Sequence, residues 1–141
     1  MNICIFYCLT VCPSDWKQFG SNCYKYFNNQ MDWNTADDFC KARLGHLVSI
    51  HSEKEMTFLK DDVIQNATLH AWIGSLKSKW PANNWKWTDG SAYDYFNWLN
   101  TQPNDLGSPL CGYMNRNHGF KWADTKCSQK FPIICKKKFS N

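Results

Sequence analysis

Residues 100 to 111 read NTQPNDLGSPLC, so Gln102, Asn104 and Asp105 flank Pro103 shortly before Cys111. Short oxygen-bearing side chains held by a proline can build a calcium site or a sugar site. The same residues are also good turn chemistry, because Asn and Asp bond their own backbone and proline fixes φ. Asp89 and Asp94 lie on the same irregular stretch, and Asp124 follows Cys111. Trp80 and Trp85 sit among Lys79, Pro81, Asn83 and Asn84, where an exposed ring could stack on a sugar without any metal. Enzyme chemistry finds no local pattern: Gly-x-Ser-x-Gly, His-Glu-x-x-His and a glycine-rich phosphate loop are all absent. Zinc lacks its spacing too, since no Cys-x-x-Cys occurs and His46, His51, His70 and His118 lie near no paired cysteines.

The elements that must position these groups are legible in the pattern. At 141 residues the chain suits one domain, and its 23 aromatic residues, eight of them Trp, can bury a large core. Trp72, Trp87, Trp98 and Trp122 are expected in that core. Eight cysteines point to covalent bracing in an oxidising compartment. Residues 21 to 27 read as a strand, followed by a short amphipathic helix with Ala36, Phe39, Cys40, Arg43 and Leu44 on its spacing. Asn34 or Thr35 is the expected cap of that helix and Gly45 its stop. HLVSI reads as a strand, and Ser52 with Glu55 forms a capping box opening a second helix to about Gln65, striped by Met56, Leu59 and Val63.

Asn66-Ala67-Thr68 is a glycosylation sequon in an expected loop. AWIGSL then reads as a buried strand. Residues 77 to 109 are rich in Asn, Asp, Gly, Ser, Pro and Trp with weak periodicity, the signature of a functional loop. LCGYMNR, GFKWAD and FPIICKK read as three short strands. Residues 1 to 11 carry an apolar run too short to span a bilayer, which reads as a signal remnant or amino-terminal extension. Cys4 and Cys8 either leave with it or pair locally. The net charge of +4 is uneven: residues 116 to 141 carry +6 and the first 115 sum to −2. That leaves two readings, an anion-binding face for sulfated glycans or phospholipid, or a solvated surface with a frayed Lys136-Lys137-Lys138 tail. Without aromatics spaced among these lysines, nucleic acid is not an expected partner.

Residues 12 to 137 resemble a C-type lectin-like domain almost throughout. The stretches that carry the resemblance are CPSDWKQFGSNCYKYF, Trp33 with a helix ending in FC, LVSIHSEKE, AWIG, WKWTDGS, NW, QPND, Cys111, WAD before Cys127, and FPIICKK. The resemblance implies an α+β fold over residues 12 to 138, with two helices packed on small antiparallel sheets and a long irregular loop. It also implies disulfides Cys40 to Cys135, Cys111 to Cys127 and Cys12 to Cys23. Closing the loop of about 95 residues between Cys40 and Cys135 is worth about 4 to 5 kcal/mol in the chain-entropy model.

In this family the long loop carries the ligand site, where side chains flanking a cis proline bind calcium and two sugar hydroxyls together. Glu-Pro-Asn resembles mannose binders and Gln-Pro-Asp galactose binders, and Gln102-Pro103-Asn104-Asp105 fits neither. The family pattern asks for an acid at Gln102, an amide at Asn104, an acid before Cys111 and an Asn-Asp pair at Ala123-Asp124. Gln102 is neutral, Pro109 and Leu110 replace the acid region, and Ala123 has no side-chain oxygen. Asn104 and Asp124 remain, with Asp105 as a neighbouring carboxylate, so calcium binding at Asn104, Asp105 and Asp124 is expected to be weak or lost.

The sequence therefore predicts a secreted binding module without enzymatic activity and without a membrane span. Its first reading is glycan recognition through Gln102, Asn104, Asp105, Asp124 and Trp85. The alternative is calcium-independent protein recognition, as in relatives resembling venom lectin-like proteins or immune receptors that lost the metal. Ice binding, as in some fish relatives of the fold, is a third possibility.

Overall fold

The computed structural model describes residues 11–65, 67–78, 84–105, 107 and 109–139. The readings made for Cys4, Cys8, Asn66 and Trp80 lie outside those residues. Strands β1 (Lys17–Phe19) and β2 (Asn22–Met31) form an amino-terminal hairpin, and helix α1 (Trp33–Lys41) follows. The α1 cap is Asp32, not Asn34 or Thr35. Its backbone is extended and its Oδ1 accepts from the Thr35 N–H at 2.8 Å, so Thr35 receives the capping bond instead of supplying it. At the other end Leu44 takes the left-handed conformation at φ 69° while the Gly45 N–H donates to the Cys40 carbonyl at 3.0 Å. Gly45 is needed for a different reason than a helix stop: a Cβ there would overlap the Lys136 carbonyl oxygen.

Only His46–Leu47 of HLVSI pairs as a strand, β3. Val48 is nonetheless tied on both sides, donating to Ile134 at 2.9 Å and accepting from Gly74 at 2.8 Å. Helix α2 (Glu53–Phe58) opens at Ser52, whose side chain accepts from the Glu55 N–H, and continues as a π turn over Leu59–Val63. Met56 and Leu59 are buried and Val63 packs on the core edge, as the stripe predicts. Strands β4 (Ala71–Lys77), β5 (Trp85–Trp87), β6 (Leu110–Asn115), β7 (Lys121–Lys126) and β8 (Phe131–Lys138) follow, with a 3-10 turn over Arg116–His118 between β6 and β7. The short strands β1 and β5 were not foreseen, since three residues are too few to show a period. Lys136, Lys137 and Lys138 continue β8 and do not fray.

The strands run in the order β1-β2-β8-β4-β6-β7, with β3 added to β8 and β5 to β4. Pairing is antiparallel except where β4 meets β8 in parallel, with Trp72 opposite Ile133. One core, between the sheet and α2, gathers Tyr24, Ile50, Met56, Leu59, Ile73, Trp87 and Trp122. The other lies under α1 with Trp33, Ala36, Leu47, Trp72 and Ile133, and the disulfides Cys40–Cys135 and Cys111–Cys127 run through it. Cys12–Cys23 clips the amino-terminal hairpin. The indoles of this second core are pinned as well as packed: Trp33 Nε1 donates to the Ile73 carbonyl at 2.8 Å and Trp72 Nε1 to Met31 at 2.9 Å. Trp98, expected in the core, is half-buried at its edge.

A charged pair crosses from β8 to α2. Lys136 Nζ lies 2.8 Å from Glu55 Oε2 and 3.0 Å from the Ser49 carbonyl, with side-chain exposures of 10% for Lys136 and 5% for Glu55. Glu55 also accepts from the Tyr24 hydroxyl and from the His51 N–H at 2.7 Å. Burial, reinforced by the Glu55 carboxylate, pushes the Tyr24 phenol far above its ordinary value, so it stays a donor. Removing one partner of such a pair strands the other charge in the interior. K136M is therefore expected to cost about 3 to 5 kcal/mol in urea unfolding, and a loss below about 1 kcal/mol would show the pair to be dispensable.

His70 supplies a second prediction. Its Nδ1 accepts from the Arg116 N–H at 3.0 Å, which requires an unprotonated ring nitrogen, and burial, with His118 nearby, holds its pKa below the ordinary value. A histidine with a lowered folded pKa binds its proton first in the unfolded chain. Its stability is complete above about pH 6.5 and is lost as pH falls below that. Thermal melts at about pH 7.5 and about pH 5 should show a drop in Tm on acidification that is smaller in H70Q; equal drops would contradict this.

Candidate functional site

The long loop leaves β5 and is sewn to the body before it reaches its tip. Asp89 accepts from the hydroxyl of Ser49 at 2.5 Å and from the N–H of Ser91 at 2.9 Å. Burial acts to raise the Asp89 carboxyl, but the Ser49 and Ser91 donors outweigh it and hold the pKa below the ordinary value. Asp94 Oδ1 lies 2.7 Å from His51 Nδ1, and the Tyr95 hydroxyl donates to Glu53. Tyr93 bonds Ser75 at 2.8 Å and stacks on Trp87 with ring centroids 4.5 Å apart. Asp89 and Asp94 thus face α2 and its approach, away from the QPND residues. Further along, Trp122 donates to the Asn97 carbonyl and accepts from the Leu99 N–H, both at 2.8 Å, which lays the loop against β7.

The tip itself is built around Asp124 of β7. The Gln102–Pro103 peptide is cis, and the turn is entered through Thr101 at φ 70°. Asp124 Oδ1 accepts from the Asn104 N–H at 3.0 Å, Asp124 Oδ2 accepts from the Asp105 N–H at 3.2 Å, and the Asp124 N–H reaches Gln102 Oε1 at 3.4 Å. The geometry brings together Gln102, Asn104, Asp105 and Asp124. Asp124 is only 5% exposed, Gln102 is half-buried, and Asn104 and Asp105 are exposed. Burial pushes the Asp124 carboxyl above its ordinary value, with Asp105 adding to it, against the two N–H groups.

Trp85 does not join that cluster. Its ring rests on Trp98 at 5.0 Å, and Trp98 packs edge-on against Trp122 at 5.8 Å. Trp85 and Trp98 are both half-buried, so together they form an aromatic step on the loop face. Phe96, two residues before Trp98 in the chain, is 63% exposed and touches Tyr93 at 5.5 Å. The sequence pattern pointed to neither Trp98 nor Phe96 as a binding residue. The signal was the density of rings in Tyr93-Asp94-Tyr95-Phe96-Asn97-Trp98, which sequence spacing alone could not divide between core and surface.

Calcium takes six to eight oxygens, several from carboxylates. The Asp124 oxygens face backbone N–H groups, Gln102 Oε1 faces the Asp124 N–H, and Ala123 offers no side-chain oxygen. Asp105 is left as the carboxylate turned to solvent, with the Asn104 amide next to it. This donor set does not fit a strong calcium site. Among the described residues no group of three or more His, Cys, Asp or Glu side chains is placed to hold a metal ion.

The same loop and frame recur in known proteins. The family model for the lectin C-type domain matches residues 29–137. Echinoidin of Heliocidaris crassispina is 35% identical over 145 residues, covering 89% of this chain and 95% of that protein. A snaclec of Protobothrops flavoviridis, one chain of its coagulation factor IX-binding protein, is 36% identical over 131 residues, covering 88% of this chain and 98% of that one. Among solved structures, a calcium-independent type II antifreeze protein superposes with a TM-score of 0.83 at 36% identity, covering 92% of this chain and 96% of that chain. With the family model spanning most of the chain and the fold shared over nearly its whole length, this protein belongs to the C-type lectin domain family.

Proposed function

We propose that the long-loop face is a glycan-binding surface that works without a resident metal. The observation that carries this is the Asp124 carboxylate receiving the N–H groups of Asn104 and Asp105. Those bonds hold the turn in shape from within, so the exposed Asn104 amide and Asp105 carboxylate are presented without an ion to gather them. Both can bond sugar hydroxyls, and the Trp85–Trp98 step offers an apolar ring face to stack on. The disulfides Cys12–Cys23, Cys40–Cys135 and Cys111–Cys127 suit an extracellular module. Ser49 Oγ lies 3.2 Å from His51 Nε2, but that hydroxyl is fully buried and donates to Asp89, so it is not offered to a substrate.

Protein recognition is the second reading, favoured by Phe96. A ring 63% exposed beside Tyr93 and Tyr95 resembles an interface anchor more than a sugar subsite. A relative named for binding coagulation factor IX shows that the family includes protein binders. Ice binding is supported by similarity to antifreeze proteins alone and would show as thermal hysteresis in concentrated solution.

A glycan array probed in calcium and again in EDTA tests the proposal. Saturable binding to neutral sugars should persist in EDTA, and N104A/D105A should weaken it about tenfold or more, which corresponds to about 1.4 kcal/mol. A blank array would overturn glycan binding, and binding abolished by EDTA would overturn its independence of metal. F96A leaving sugar binding intact while abolishing capture of a purified protein ligand would assign Phe96 to the second reading.

A further inference from the structure

The lysine-rich end of β8 lies on a part of the molecule that the long-loop site does not use, and its cations are held in an unusual way. Lys136 is engaged inside by Glu55. Lys137 lies opposite Cys23 of β2, and Cys135 opposite Lys25, so Lys137 and Lys25 emerge on one face of the sheet. There Lys137 Nζ sits 4.3 Å from the centre of the Trp16 ring and Lys25 Nζ 5.0 Å from Phe27. Arg43, just beyond α1, lays its guanidinium 3.5 Å from the centre of Phe39 and 5.3 Å from Phe27. The rings touch one another, Trp16 to Phe27 at 6.0 Å and Phe27 to Phe39 at 4.9 Å. Three cations therefore rest on one aromatic floor.

Among the described residues none of these three, nor exposed Lys138, pairs with a carboxylate; of the acids on α1, Asp38 lies against Lys41 and Asp37 is engaged by Lys41, the Leu47 N–H and the Thr88 hydroxyl. A ring orders a cation without cancelling its charge, so the positive field stays outward while the side chains have already given up much of their freedom. At Lys137 this face runs into a groove of about 580 Å³ walled by Leu44–His46 on one side and Gly90–Ser91 on the other, with Lys136–Phe139 along it. Asp89 is the acidic residue of that lining, and Ser49 and Ser91 occupy its oxygens.

We propose that this groove and the adjoining cation floor bind a sulfated polysaccharide chain. Ordered cations without acidic partners suit fixed anionic groups spaced along a polymer, and a groove suits a linear one. The rings are covered by their cations, so no face is left for stacking nucleic-acid bases. Leu44 is 81% exposed at the rim, but a single apolar side chain falls short of a membrane anchor. Glycan binding at the long-loop tip is a separate matter, and either surface can fail without the other.

Heparin tests the proposal, with fully desulfated heparin, phosphatidylserine vesicles and single-stranded DNA as comparisons. Heparin should bind saturably and weaken steeply as salt rises from about 0.05 M, while the desulfated polymer should not bind. R43Q/K137Q/K138Q should weaken heparin binding about tenfold at about 0.1 M salt, N104A/D105A should leave it unchanged, and K137R/K138R should retain it. Because Arg43 and Lys137 also pack on rings, K138E supplies a variant without that structural role and should weaken binding severalfold with an unchanged Tm. No heparin binding at low salt, binding indifferent to these substitutions, vesicle capture without heparin binding, or equal affinity for single-stranded DNA would each overturn the proposal.

Discussion

Lys136 carries an ammonium into the space between α2 and the middle of the sheet, where the Ser49 carbonyl and Glu55 Oε2 converge on it at 3.0 and 2.8 Å. A charge so deeply placed is tolerable only with its counter-charge in contact. Much else is hung on that pair. Glu55 holds the entry to α2 through the His51 N–H and takes the Tyr24 hydroxyl of β2, which joins three elements at one carboxylate. His51 and Glu53, placed by that entry, then receive Asp94 and Tyr95 of the long loop. The disulfide Cys40–Cys135 lies one residue before Lys136 and fixes the same strand to α1. A loop with little regular structure is thereby given the rigidity of the core beneath it.

The tip repeats this use of internal donors at a different place. Asp124 is a buried carboxylate at the point where loop and β7 meet, and backbone N–H groups of Asn104 and Asp105 satisfy it. Its raised pKa reflects burial that those donors only partly offset. That side chain serves to shape the turn; an amide and a carboxylate face solvent there, and the aromatic step lies apart from them on the loop face. Such a surface can recognise a partner by hydrogen bonds and stacking, but it holds too few free oxygens to gather an ion of calcium's coordination number.

Much of the fold was legible because its signals are local or strongly ordered. Ser52 and Glu55 marked α2 correctly, and the three apolar runs near the carboxyl end fell on β6, β7 and β8. The motif order across residues 12 to 137 pointed to the family. What stayed hidden depends on long-range contact. The role of Gly45 is set by Lys136, more than ninety positions away. Asp32 as the α1 cap was one of several adjacent candidates, and only backbone conformation chooses among them. Within the site, grouping Gln102, Asn104, Asp105 and Asp124 was readable from the family pattern, but the inward turn of Asp124 was not. The divergence of Asp89 and Asp94 from the tip was equally invisible, because both partners come from the region around α2.

Whether the loop tip keeps its shape without metal is the claim on which the functional account turns. The direct measurement is a thermal melt of the oxidised protein in about 10 mM calcium against the same sample in EDTA, a concentration above the weak end of extracellular calcium sites. Coincident melts, with Asn104 and Asp105 amide protons protected from exchange in EDTA, are the predicted result. A rise in Tm with calcium, together with protection of those two amides only when calcium is present, would contradict it and restore the ion to the centre of the site.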